Sequence, residues 1–147
     1  MNRFLTTLAA LALAGPAFAE GHASGDAAAG EKVFNKCKSC HMIVSDSGDE
    51  IVKGGRTGPN LYGVMGRVPG SVEDFRYGDD LVKAGETLAD GWNEEAFVAY
   101  VQDPRGWLRE TLDDSKARSK MSFKLNKADE AANVWAYLVS VGPAATK

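Results

Sequence analysis

The chain has 147 residues, of which 44% are hydrophobic and 25% are charged, and its formal net charge is −3 at pH 7. This length predicts a single domain, and the slight acidic excess excludes a generally basic protein that binds nucleic acid. No internal repeat is visible, and low complexity is confined to residues 17–29.

The first 19 residues have the pattern of a secretory signal peptide. Asn2-Arg3 gives a short positive start, residues 4–14 form an apolar run, and Ala17-Phe18-Ala19 supplies small residues before a cleavage point. The run is too short for a membrane span, which needs about 18 apolar residues. We therefore expect residues 20–147 to be exported as one domain without membrane insertion. In a bacterium the destination would be the periplasm.

Helices account for most of the predicted regular structure, so the expected fold class is all-α. The first helix is predicted to begin after an N-cap at Asp26 and to run into Cys37. Gly30 lies in the middle of this helix, where glycine normally weakens the structure. We therefore expect another backbone to approach the helix closely at this position.

Residues 37–41 read Cys-x-x-Cys-His, which is the attachment signal for c-type haem. The two thiols can add to the vinyl groups of one porphyrin, and His41 is then placed as the proximal ligand of the iron. A zinc site would need a second pair of ligands, but these are the only cysteines and His22 is the only other histidine. A thioredoxin-like site would need a βαβ pattern, which is missing from the sequence. A structural disulfide in a chance motif is the remaining alternative.

The chain beyond His41 is rich in loops. Residues 42–57 contain many Gly, Asp and Ser residues, and residues 58–67 form a glycine-punctuated loop, so little or no sheet is expected. Three short helices are predicted in the middle of the chain: one over Leu81–Ala84, one capped by Asn93 that stops at Asp103, and one from Pro104 through Leu108.

The last predicted helix has an N-cap at Asn126, acidic residues in its first turns, and Gly142-Pro143 at its end. Its apolar residues follow helical spacing and need a partner, for which the face of Gly30 and Phe34 on the first helix is the natural choice. The residues of this stripe are Ala131, Val134, Leu138 and Val141.

The iron would also need a ligand opposite His41, and four residues are candidates. Met42 adjoins the proximal histidine and cannot reach the other face, and His22 lies in the N-terminal tail. Met65 and Met121 both lie in predicted loops at adequate distance. Spacing favours Met121 only slightly, since a buried apolar side chain makes little sense in so polar a stretch.

With these features the chain resembles the class I c-type cytochromes, and specifically the bacterial cytochrome c2 group. The resemblance covers residues 25–142 and implies the cytochrome c fold, in which short helices and long loops surround one covalently attached haem c. Besides the haem motif, it rests on elements that follow the family order: Gly25-Asp26 through Gly30 to Phe34, Thr57 to Leu61, Gly66-Arg67, Trp92, Tyr100, Lys120 to Phe123, and Trp135 to Leu138.

The resemblance also implies roles for single residues. Cys37 and Cys40 would carry the haem, Met121 would be the distal ligand, and the carbonyl of Pro59 would accept the ring N–H of His41. The other assigned positions are Arg67, Tyr77 and Trp92, which match residues that hold the haem propionates; Tyr100, which matches a tyrosine that reaches towards the methionine sulfur; and Gly30, Phe34 and Tyr137, which match the crossing of the first and last helices.

Two segments depart from the mitochondrial-type pattern. The loop between His41 and Pro59 is longer, and residues 108–120 add a polar extension before the expected distal ligand. Both additions are typical of the larger cytochrome c2 proteins.

The function that the resemblance implies is that of a diffusible, monomeric electron carrier and not an enzyme. Its expected donor is the cytochrome bc1 complex, and its expected acceptor is a terminal oxidase or a photosynthetic reaction centre. A basic stretch around Met121 is predicted to steer docking onto acidic partners. Its cations are Lys116, Arg118, Lys120, Lys124 and Lys127.

The sequence leaves two alternatives to a diffusible electron carrier. An enzyme or gas-binding sensor with five-coordinate haem would require Met121 to be absent from the iron. A domain bound permanently to a larger complex is the other alternative, and the lack of a membrane anchor argues against it.

Overall fold

A computed structural model describes residues 23–143. The predicted signal peptide and His22 lie outside these residues. Within them the regular structure is mainly helical, as expected, and no helix is both long and apolar enough to cross a membrane. The elements in chain order are α1 (Ala27–Phe34), β1 (Ile43–Val44), β2 (Glu50–Val52), α2 (Asp79–Thr87), α3 (Glu94–Gln102), α4 (Pro104–Thr111) and α5 (Ala128–Val141).

The first and last helices cross in close contact, as the glycine in α1 and the stripe on α5 predict. A Cβ atom placed on Gly30 would lie 1.8 Å from the backbone oxygen of Asn133, so only glycine permits this approach. The rings of Phe34 and Tyr137 pack beside the crossing with their centroids 5.6 Å apart. This pair of helices forms one wall of the core.

Two of the three predicted N-caps are confirmed. The side chains of Asp26 and Asn93 each accept a hydrogen bond from the amide three residues later, at 2.8 and 2.9 Å. The cap predicted at Asn126 is wrong, because α5 begins one residue later with Lys127 at its N-cap position and no side-chain cap. The backbone oxygen of Asn126 instead accepts a hydrogen bond from Gln102 of α3.

Helix boundaries differ from the predictions at several ends. Helix α1 ends at Phe34 and does not reach Cys37, because the chain tightens into turns in which the amide of Lys36 bonds to the carbonyl of Val33, three residues earlier. Helix α2 is longer than predicted at both ends, and α4 continues beyond Leu108.

The long loop after His41 contains a short antiparallel hairpin of β1 and β2. Ile43 opposes Val52 and Val44 opposes Glu50, with an irregularity between the two pairs. The side chain of Asn60 holds the hairpin against the next loop: its Nδ2 donates to the carbonyl of Val44 at 2.7 Å, and its Oδ1 accepts from the amide of the same residue at 3.0 Å.

Candidate haem-binding site

A cavity of about 430 Å³ lies among α3, the turns after α1, the loop that precedes α2 and the segment that precedes α5. Every residue predicted to bind or surround a haem lines it. These are Cys37, Cys40, His41, Pro59, Arg67, Tyr77, Trp92, Tyr100 and Met121. Of the three methionines within residues 23–143, Met42 and Met65 do not line the cavity. Of Met65 and Met121, which spacing alone had left open, only Met121 lines the cavity.

The two cysteines lie in the turns that follow α1 and are free thiols. The amides of Cys40 and His41 both bond to the carbonyl of Cys37, so the three residues of the motif turn tightly around one backbone oxygen. Burial raises the pKa of Cys37 to about 11, whereas hydrogen bonds from the side chains of Thr57 and Ser39 lower the pKa of Cys40. Both residues line the cavity, and two thiols at this spacing can attach one porphyrin.

The ring of His41 is fixed from two directions. Its Nδ1 lies 2.8 Å from the carbonyl oxygen of Pro59, and since a carbonyl can only accept, Nδ1 donates and Nε2 is left to bind a metal. Gly58 packs against the ring so tightly that a Cβ there would lie 2.3 Å from Cε1. Burial lowers the pKa of His41, and the hydrogen bond to Pro59 raises it by a smaller amount. The net lowering favours the neutral imidazole that a metal ligand requires.

Met121 lies in a segment without helix or strand, and a serine two residues earlier helps to hold it. The amide of Met121 donates to Oγ of Ser119 at 3.1 Å, and the hydroxyl of Tyr100 lies 3.5 Å from the same oxygen. Tyr100 therefore contacts the segment of Met121 through Ser119, and burial raises the pKa of Tyr100. Sequence reasoning missed Ser119, because no local signal indicates its contact with Tyr100, which is 19 residues away.

Arg67 is a mostly buried cation whose guanidinium is held by backbone oxygens. Its Nη1 donates to the carbonyl of Tyr62 and its Nη2 to that of Asn60, both at 2.9 Å. Burial lowers the pKa of Arg67, and the part of the chain that the structure describes offers it no ion pair. A cation in such a place is stabilised by an anion that reaches it from the cavity, which suits a propionate.

Aromatic rings close the cavity beside Arg67. Trp92, which is 8% exposed, packs against Tyr100 and Trp107 with centroid distances of 5.2 and 5.4 Å. Tyr77 is half-buried at the cavity and contacts the ring of Phe75 edge-on. Trp107 was not among the predicted site residues, since it belongs to α4 and no motif marks it.

The five predicted docking cations fall into different surroundings. Arg118 and Lys120 line the cavity, whereas the other three do not. The ammonium group of Lys124 pairs with Asp103 at 2.8 Å, and that of Lys127 pairs with Glu130 at 3.2 Å; the fifth cation is Lys116. Two cations that sequence reasoning had not selected, Lys36 and Arg76, also line the cavity.

The chain is similar to known proteins in sequence and in structure. No family model matches the chain. It is 60% identical over 142 residues to cytochrome c-551 of Roseobacter denitrificans, covering 96% of both chains, and 54% identical over 135 residues to cytochrome c2 of Rhodobacter capsulatus, covering 92% of this chain and 93% of that one. The chain belongs to the class I c-type cytochromes.

The fold agrees with this membership. The crystal structure of ferric cytochrome c-550 from Paracoccus versutus matches this structure with a TM-score of 0.77 and 52% sequence identity, covering 82% of this chain and all of that one. Membership means one covalently attached haem c and a role in electron transport. The two thiols, Nε2 of His41, the thioether of Met121 and the guanidinium of Arg67 all lie at this cavity, and their chemistry fits such a haem.

Proposed function

We propose that this cytochrome is a diffusible periplasmic carrier whose iron is ligated by Nε2 of His41 and the sulfur of Met121. The observation that carries the proposal is that these two side chains line one cavity, with Nδ1 of His41 bonded to Pro59. When bound, the haem supplies an iron that gains or loses one electron. With His41 and Met121 both holding the iron, the chain would leave no position on the metal for a substrate.

The residues around the cavity favour the reduced form. The thioether of Met121 is neutral, and such a ligand raises the reduction potential. The apolar lining, which includes Leu81, Trp92 and Val134, penalises the additional positive charge of the oxidised iron. The bond from His41 to Pro59 holds the imidazole in one orientation, so the ring would keep its position in both oxidation states of the iron.

Docking onto redox partners is proposed at the cavity edge. Arg76, Arg118 and Lys120 are exposed cations on this edge, and Phe123, which is 40% exposed, offers an apolar contact among them. A cationic surface steers association with an acidic partner. We assign the cytochrome bc1 complex as donor and a terminal oxidase or photosynthetic reaction centre as acceptor.

The ligation is tested by the absorption spectrum of the ferrous protein, purified from the periplasmic fraction, with and without carbon monoxide. An unchanged spectrum at neutral pH is expected, because the sulfur of Met121 closes the iron. A rapid shift would mean an open iron, and it would favour a five-coordinate enzyme or gas sensor. Recovery of the protein from the cytoplasm alone would contradict the proposed location.

The docking surface is tested by Arg118→Gln with Arg105→Gln as the matched control, because both arginines are exposed and only Arg118 lines the cavity. At low salt, the bimolecular rate of reduction by the bc1 complex should fall roughly a few-fold in Arg118→Gln and stay at the parental value in Arg105→Gln. The rate of the parent protein should also decrease as salt increases. Equal effects of the two substitutions, or a rate that does not depend on salt, would contradict the assignment.

A further inference from the structure

The segment that carries Met121 depends on anchors outside itself, since residues 117–127 form neither helix nor strand. On its C-terminal side, the buried Leu125 donates its amide hydrogen to the carbonyl of Val101 at 2.8 Å. This side is therefore held by a core side chain and by a backbone bond to α3. The position of Met121 also requires an anchor on the other side.

The N-terminal side is the end of the polar extension, and it is packed against the core. Ala117 is 1% exposed, and its amide bonds to the carbonyl of Asp114 at 3.0 Å. The carbonyl of Ala117 is also approached by Nε of Arg109 at 3.4 Å, which is a long contact. These bonds join the extension to itself and to α4, but they do not join it to the wall of the cavity.

Asp80 joins the extension to α2, whose residue Leu81 lines the cavity. Oδ2 of Asp80 accepts a hydrogen bond from the amide of Arg118 at 2.8 Å, across 38 residues of sequence. Asp80 lies in the first turn of α2, where a carboxylate is favoured and where the N-cap Gly78 supplies no side-chain bond. An ionised acceptor makes a stronger bond than a neutral one. Lys83 is the cation paired with this carboxylate, at 3.8 Å.

A second tether on this side is weaker by its nature. The ammonium of Lys120 donates to the carbonyl of Arg76 at 2.9 Å, but its long side chain is exposed and loses rotamer freedom when it is held. The side chain of Asp80 has few rotatable bonds and therefore loses little entropy when it is held. Its carboxylate binds the backbone amide of Arg118, three residues before Met121. At 2.8 Å it is also a shorter contact than the 3.5 Å approach of Tyr100 to Ser119, so it limits movement of this side of the segment more directly.

We infer that Asp80 is a positioning residue for Met121: by holding the amide of Arg118, it keeps the thioether on the iron and keeps competing ligands off. This inference rests on the proposed His41/Met121 ligation. Release of the sulfur requires the segment to move away, and a form without the bond to Asp80 moves more readily. The ligand-off population is therefore set partly by a residue on α2 that contacts neither the cavity nor the iron.

The test is a titration of the ferric protein with imidazole, which competes with Met121, at constant neutral pH. Binding is followed by loss of the absorption band that reports sulfur bound to ferric iron. The variants are Asp80→Ala, Asp80→Asn and the matched control Asp79→Ala, which removes the same charge from an exposed neighbour in the same turn. Urea unfolding of each variant reports global stability separately.

Asp80→Ala should bind imidazole roughly five- to tenfold more tightly than the parent, because apparent affinity follows the population of the open form. Asp80→Asn should lie nearer the parent, since its amide oxygen still accepts the bond, and Asp79→Ala should match the parent. An unchanged affinity in Asp80→Ala, or an equal rise in Asp79→Ala, would overturn the inference.

The spectrum of the parent protein distinguishes failure of the proposed ligation from failure of the role assigned to Asp80. If the ferric parent lacks the sulfur–iron band, the proposed ligation fails and the role of Asp80 fails with it. If the parent shows the band and Asp80→Ala behaves as the parent does, only the role of Asp80 is refuted.

Discussion

The two proposed ligands sit on sides of the cavity that are built in different ways. His41 is fixed by backbone: the carbonyl of Pro59 accepts its ring N–H, and Gly58 packs directly against the ring. Met121 is held by side-chain contacts, one from Ser119 in its own segment and one from Asp80 on α2, which accepts from the amide of Arg118. The first side is rigid because backbone atoms surround it, whereas the second is a loop held by several separate anchors.

This difference has energetic consequences. A backbone wall cannot relax around an added atom, so a small change on the His41 side should cost stability directly. A loop held by several separate bonds can lose one of them and remain in place most of the time. Changes on the Met121 side should therefore alter the iron's ligation more than they alter folding.

The largest expected effect comes from Met121→Leu. Leucine keeps much of the volume, so the loss of stability should stay below about 1.5 kcal/mol, but it has no sulfur to bind the iron. The ferrous protein should then bind carbon monoxide. The midpoint potential should fall by at least about 0.08 V, which is a tenth of the range that axial ligands cover. Potentiometric titration with optical detection measures this change.

Met65→Leu is the matched control, since this methionine lies outside the cavity lining. It should leave both the potential and the response to carbon monoxide as in the parent protein. If Met121→Leu kept the parent potential, the assignment of the distal ligand would be wrong, and the contrast between the two sides would lose its basis.

The next effect in size is expected from Gly58→Ala on the other side. The added Cβ would lie 2.3 Å from the ring of His41, so the ring or the backbone must shift, at a cost of roughly 1–3 kcal/mol. Urea unfolding of the holoprotein measures the loss. Gly78→Ala is a suitable control, because its Cβ would meet only the flexible Lys120 side chain at 3.5 Å.

Gly78→Ala should change the free energy of unfolding by less than about 1 kcal/mol. Equal losses in the two variants would show that Gly58 is not specially confined. A Gly58→Ala protein of parental stability would contradict the view that the His41 side is the rigid one.

The same contrast explains how much could be predicted from sequence. The haem motif is contiguous, and its residues do lie together at the cavity. The caps at Asp26 and Asn93 were predictable because each bonds to an amide three residues away. The glycine in α1 indicated a close approach because few other roles suit a glycine in mid-helix.

The remaining features depend on pairs that are distant in sequence. Nothing local to Arg118 indicates that its amide meets Asp80, and the approach of Tyr100 to Ser119 spans 19 residues. The predicted cap at Asn126 was wrong because α5 begins one residue later, and the hydrogen bond that Asn126 does make, with Gln102, joins residues 24 positions apart. The basic stretch was visible as charge, but the pairing of Lys124 with an acid is settled only by the fold.

The smallest expected effect is that of Lys124→Ala, on the C-terminal side of Met121. Lys124 lowers the pKa of Asp103 below its ordinary value of 3.8, chiefly through their hydrogen bond, with the amide of Gly106 as the second cause. A depressed carboxyl pKa contributes stability above the unfolded-state pKa, and this contribution is lost as pH falls through the folded-state value. The variant should therefore unfold slightly below the parent's temperature at neutral pH, and the two should converge in acid.

Lys127→Ala is the matched control, because its partner Glu130 keeps a second cation, Lys36, at 2.6 Å. Thermal unfolding between neutral pH and pH 3 should show a smaller difference from the parent in this variant. The affinity for imidazole should stay at the parental value in Lys124→Ala, because the buried Leu125 and its bond to Val101 still hold this side. A rise as large as that expected of Asp80→Ala would mean that surface ion pairs, and not the core residue, anchor the segment after Met121.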